Sequence, residues 1–169
     1  ETRSFLLQTA VLDRLNGSLC DAVTGQRESA ARLVALERGN FFLIPLDSTR
    51  TWYRYHHLFG DVLKARLLEE CPEQVAALHL RASGWYEQQG LVAEAVQHAL
   101  TAADGERVAH LIEQHGLRII VGGQVHTVLH WLSALADGLI RARPMLRIIH
   151  ALALQFTNQM AAAEARVQD

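Results

Sequence analysis

One stretch breaks an otherwise helical texture and limits what the chain can become. "FFLIPL" (41–46) and "TWYRYH" (51–56) are rich in aromatic and branched residues that favour strands, and they flank the turn-like "DSTR" (47–50). Pro45 lacks a backbone N–H, which suits an edge strand. The sequence around this hairpin is helical in spacing. Thr2–Leu15 places Phe5, Gln8, Leu12 and Leu15 on one stripe, which predicts a helix over that span. Asn16-Gly17 is a stop signal, and Ser18 is a candidate cap for a short helix over Leu19–Val23. Gly25 breaks the pattern again, and Glu28–Arg38 reads as a third helix ending at Gly39-Asn40. After the hairpin, Leu58, Phe59, Val62, Leu63 and Leu67 return to helical spacing. Three short helices, one hairpin and a further helix predict a winged-helix module over residues 1–70.

Past Cys71-Pro72 everything reads as helix. Glu73–Gln89 pairs with Leu91–Ala103, and Glu106–Val121 with Gln124–Ala136, broken at Gly90 and at Gly122-Gly123. Pro144 opens a third helix over Met145–Met160, with Ala161–Val167 entering its partner. The starts recur at roughly 33–38 residues, the rhythm of a solenoid in which each helix pair buries its face against its neighbours. Trp85, Tyr86, Gly90, Ala95 and Ala99 loosely follow tetratricopeptide spacing. The fold class predicted is therefore mainly α: a winged helix with one β-hairpin (1–70), then α-solenoid, TPR-like helix pairs (71–169). The chain opens on Glu1 inside a helical pattern and closes in another, so it reads as a piece of a longer protein, truncated at the C-terminal side.

Composition narrows the function. Half the residues are apolar, enough for a real core, and 16 basic residues balance 18 acidic ones for a formal charge of −2. Neither half shows the basic excess of a nucleic-acid footprint. The predicted third helix carries Glu28, Arg32, Glu37 and Arg38, which sum to zero, so direct DNA binding is not expected of this chain. Two cysteines, Cys20 and Cys71, fit a reducing cytoplasm rather than a disulfide framework. No apolar run is long enough to span a membrane.

No complete active site can be assembled, so the chain is not expected to be an enzyme. There is no Gly-rich phosphate loop, no GxSxG and no CxxC. His126 and His130 ("HTVLH") would share a helical face, but Thr127 stands where a zinc protease needs its Glu, and no metal is expected. The adjacent His56 and His57 sit where strand texture gives way to helix. By position alone, His56 reads as a helix cap or as packing beneath the hairpin; His57 reads as structural or exposed. Trp52, Tyr53, Leu58 and Phe59 read as core.

"FLLQTAVLDRLNGSLCDAVTG" (5–25) with "LIPLDSTRTWYRYHHLFGDVLKARL" (43–67) resembles the large ATP-dependent transcriptional regulators of the LuxR family, which include the maltose-operon activator. "HLRASGWYEQQGLVAEAVQHALTAAD" (79–104) looks like the segment that follows in that family, and over 105–169 the likeness becomes generally helical. The resemblance implies a middle fragment of a cytoplasmic, slow ATPase switch. An N-terminal nucleotide-binding module and a C-terminal DNA-binding domain would lie elsewhere in the same chain. The helical region would sense an unknown inducer and support self-association when active. These regulators are similar to the wider class of signal-transducing NTPases, where a histidine in a Met-His-Asp-like stretch touches the phosphates of bound ADP. Tyr55-His56-His57-Leu58 matches that stretch best. The resemblance thus implies a phosphate contact by His56, more weakly by Arg54, with ATP or ADP as the cofactor of the intact protein. His57 stands in place of the acid and inherits no role. Two rival readings are an autonomous DNA-binding winged helix with a helical dimerisation tail, and a peptide- or protein-binding helical scaffold.

Overall fold

The computed structural model describes residues 2–168, with side chains through residue 157. Helix α1 (Thr2–Thr9) buries Phe5, Leu6, Leu7 and Thr9. The helix predicted to reach Leu15 stops at Thr9, because Leu15 is claimed by the hairpin. Its N–H and C=O exchange two 2.8 Å hydrogen bonds with Tyr53, an isolated antiparallel bridge. Helix α2 (Gly17–Thr24) is capped by Asn16, whose side chain accepts from the Leu19 N–H at 2.8 Å. Ser18, the predicted cap, instead donates its hydroxyl to that same Asn16 oxygen. Gly25 closes α2 at φ 69°, a left-handed value that a glycine adopts without steric cost.

Helix α3 (Ser29–Arg38) lies close against α2. A Cβ on Gly17 would stand 2.7 Å from that of Ala30, so the approach of the two backbones requires glycine there. Strands β1 (Leu43–Pro45) and β2 (Tyr53–Tyr55) pair antiparallel with Leu43 opposite Tyr55, Ile44 opposite Arg54 and Pro45 opposite Tyr53. The connecting wing is tied by Asp47. Its carboxylate accepts from the Thr51 N–H (2.8 Å), the Trp52 N–H (3.1 Å) and the Thr49 hydroxyl (3.1 Å). These bonds, the Thr51 N–H first, hold its pKa below the usual value of 3.8.

Helices α4 (His57–Glu70) and α5 (Pro72–Gln88) complete the first compact unit, which extends to Leu91. The sequence changes texture at Cys71-Pro72, yet α5 packs on α2. Arg81 donates to the Val23 carbonyl near the end of α2 at 3.0 Å, and Trp85 meets Trp52 edge-on at 6.3 Å. A cation at a helix C-terminus meets unsatisfied carbonyls and the negative end of the helix dipole.

From Val92 onward a second unit is purely helical. It comprises α6 (Val92–Thr101), α7 (Gly105–Val121), α8 (Val125–Ser133), α9 (Asp137–Ala142) and α10 (Pro144–Gln168). Helix α7 contacts each of the other four, and α10 also lies on α8. Leu111, Ile112, Val128, Leu132, Leu146 and Ile149 make the core. Asp104 caps α7 by accepting from the Arg107 N–H at 2.9 Å. Arg143 clamps the unit from the turn before α10, donating to Glu113 at 2.8 Å and to Glu106. Two expectations fail here. The sequence pattern gives no sign of α9, and α10 runs unbroken where a second helix was expected from Ala161. No glycine or proline follows Pro144, and "MAAAEARVQ" is rich in good helix formers, so nothing ends the helix there.

Candidate anion site at the head of helix α4

The ladder between β1 and β2 continues one residue beyond the strands. The His56 N–H donates to the Phe42 carbonyl at 2.7 Å, and the His56 carbonyl accepts from the Gly60 N–H at 2.9 Å as the first bond of α4. His56 is thus the N-cap residue, with extended backbone at φ −56°, ψ 135°. Phe42 holds its carbonyl in place at φ 53°, a strained region for a bulky side chain. The first turn is fixed by aromatic packing: Phe59 lies 5.4 Å from the Phe42 ring and 5.7 Å from the Tyr55 ring. Tyr55 is anchored in turn by a 2.7 Å hydrogen bond between its hydroxyl and that of Thr9. Burial raises the Tyr55 pKa, so the phenol stays protonated.

That scaffold leaves the helix head chemically open. No side chain caps α4, and its first turn contains no acidic residue. The N–H groups of His57, Leu58 and Phe59 have no acceptor within the helix, and they sit at the positive end of its dipole. The arrangement suits an anion. The His56 ring is half-buried and packs on His57 with centroids 4.4 Å apart, while His57 itself is exposed. Arg54 occupies the solvent side of β2, between buried Tyr53 and Tyr55. A shallow recess of about 200 Å³ brings Arg54, His57 and Lys64 together with Asp13 and Asp61. Lys64 pairs with Asp13 at 3.3 Å. His56 touches this group through its ring contact with His57.

The structure therefore places both candidate residues around the start of one helix, Arg54 just before it and His56 at its cap. Sequence reasoning missed Phe42 and Thr9, which brace the head of α4 through the His56 N–H and the Tyr55 hydroxyl; a left-handed phenylalanine leaves no signal in sequence. Leu58, read as core, is 63% exposed, because the buried stripe of α4 is carried by Leu63 and Leu67 on the other side. Tyr53 is core, and Trp52 and Phe59 are half-buried. On α3, Arg32 is turned to the fold: it lies 5.1 Å over the Phe5 ring and donates to Gln26. His126 and His130 are both exposed on α8, and no group of three metal-ligating side chains is gathered among the described residues. No helix among them is long and apolar enough to cross a membrane.

Residues 1–75 match the family model described as the MalT winged helix domain. The HTH-type transcriptional regulator MalT of Vibrio parahaemolyticus is 34% identical over 152 residues, which cover 89% of this chain and 17% of that protein. MalT of Vibrio campbellii is 29% identical over 151 residues. The serine/threonine-protein kinase PknK of Mycobacterium tuberculosis is 34% identical over 148 residues, or 88% of this chain and 13% of that protein. The chain thus spans less than a fifth of the relatives it resembles.

Proposed function

Because residues 1–75 match the MalT winged helix domain model and most of the chain is similar to a segment of MalT, we infer that it is a regulatory, non-catalytic part of a transcriptional regulator. We propose that in the intact protein the head of α4 meets the phosphates of ADP bound by a nucleotide-binding module elsewhere in the same chain. The observation that carries this reading is the uncapped, acid-free first turn of α4 with His56 at its N-cap position.

Each group has a definite task. The first-turn N–H groups and an imidazole N–H of His56 donate to phosphate oxygens, and a charge-assisted bond of this kind is stronger than a neutral one. Arg54 adds charge from β2 in a weaker, solvent-screened position. With ADP in place the winged helix is held in a closed, inactive arrangement. Exchange for ATP shifts the contact and releases the winged helix and helical region for inducer-dependent self-association. DNA is bound by a separate C-terminal domain; the engagement of Arg32 within the fold supports keeping α3 out of that role. The likeness to PknK favours a relay over an output, since a similar stretch occurs in a protein named as a kinase and in one named as a transcriptional regulator.

The test is ADP retention by the intact protein, wild type against His56→Ala. Loss of one hydrogen bond to a charged phosphate costs about 1.5–3 kcal/mol, which is roughly tenfold or more in affinity. Faster ADP release with raised basal activity is expected. Unchanged retention by a folded variant would remove His56 from the nucleotide site.

A further inference from the structure

Helix α4 is apolar on two sides. Leu63 and Leu67 face the core, whereas Leu58, Val62 and Leu68 are each more than half exposed, and Ala65 is exposed among them. A helix on the surface of a domain ordinarily turns a polar side to water, and one that is apolar all round is covered. Leu58, Val62, Ala65 and Glu69 follow one another at steps of four, three and four, so they form a single seam opposite Leu63 and Leu67. Phe42 widens the apolar area near the helix head: its side chain is exposed, and its ring lies 5.4 Å from that of Phe59.

The charges along α4 point to what covers the seam. A helix dipole favours acids in the first turn and bases in the last. Helix α4 has the reverse: no acid in its first turn, no base in its last, and "LLEE" (67–70) at its end. Glu70 is held by Arg3, at 2.5 and 2.6 Å. Glu69 stands in solvent, and its exposed pairing with Arg66 at 3.5 Å is worth little. The acidic end of one α4 therefore complements the acid-free head of another laid antiparallel beside it. Ala65, small and midway along the seam, lets two such helices approach closely.

We propose that the outer face of α4 is a self-association surface, on which α4 of a second copy of this chain lies antiparallel about a two-fold axis. Val62 of each copy packs on Ala65 of the other, as that symmetry requires. Leu58 lies on the aliphatic stem of the other copy's Glu69, whose carboxylate reaches the free N–H groups at the helix head. The pairing gives the self-association read above a definite surface, and it rests on no nucleotide contact. The two readings meet in one consequence: a phosphate and the second copy's Glu69 compete for the same helix head.

The experiment is sedimentation equilibrium of the 169-residue chain without nucleotide. A monomer–dimer equilibrium is expected, abolished by Val62→Lys and retained by Ile148→Lys, which alters the exposed face of α10 instead. Both positions are exposed, so both variants fold. Glu69→Gln should weaken the dimer about three- to thirtyfold, because its contact with a helix dipole occurs twice. Orientation is read by oxidative cross-linking in a Cys71→Ser background. A mixture of Leu58→Cys and Glu69→Cys chains should join as a heterodimer and neither chain alone should, since these positions stand about 16 Å apart along the helix. A chain that stays monomeric up to about 1 mM overturns the proposal. So does a dimer that survives Val62→Lys or is lost with Ile148→Lys, and so does cross-linking of Leu58→Cys alone.

Discussion

His79 shows how a single buried side chain ties stability to pH. It lies on α5 with 9% exposure, and removal from water lowers its pKa below the usual 6.5; Lys64 acts in the same direction and Asp13 opposes it. The fold therefore prefers neutral imidazole, while the unfolded chain takes up the proton at higher pH. The stabilisation is complete above pH 6.5 and is lost as pH falls from there through the depressed value. The melting temperature should fall as the pH is lowered below 6.5, and His79→Gln should flatten that fall. An identical pH slope in the variant would show that other groups set it. At this scale the sequence was readable where residue type alone decides. Tyr53 belonged in the core, and it is there. Asn16 and Ser18 are both good caps, and only the backbone direction at Asn16 selects between them. Leu58 is as apolar as Leu63, so composition alone could not tell the open face of α4 from the buried one.

Two glycines with opposite surroundings test how helices meet. Gly84 lies within α5 with nothing near the position of a Cβ, so Gly84→Ala should stabilise the first unit by about 0.8–1 kcal/mol through helix propensity. Gly17→Ala should lower stability, since the new methyl would stand 2.7 Å from the Ala30 Cβ. Paired thermal melts decide the matter; a Gly17→Ala variant as stable as wild type would mean that α2 and α3 separate without cost. Elements with strong periodicity and a terminal signal were legible: α3, the hairpin, α5 and α7 fall within a few residues of their predicted spans. Helix α1 was overextended because Leu12 and Leu15 continue its stripe while serving a different structure. Helix α9 is only six residues long and has no buried residue, so it left no hydrophobic period to find. The candidate anion site was half legible. A histidine at a strand-to-helix junction can be seen in sequence, whereas the Phe42 and Phe59 packing beside it requires the fold.

For the whole molecule, the two cysteines report on how the first unit opens. Cys20 is fully buried, and its thiol is pushed up to about 12, chiefly by burial and then by Asp21; Cys71 is partly exposed. In the native chain at about pH 8 a disulfide reagent should label one thiol promptly and the second only as fast as the unit unfolds. Two fast thiols would mean that α2 is open to solvent in the native state. The Leu15–Tyr53 bridge bears on how that unit forms. It joins positions about forty residues apart and encloses α2, α3 and the first strand, so chain entropy must be spent before the pair gains anything. Helices α2 and α3 can form early from neighbouring residues. The bridge is therefore expected to close late, and the speed at which the wing finds its place should depend on a contact between the beginning and the middle of the chain.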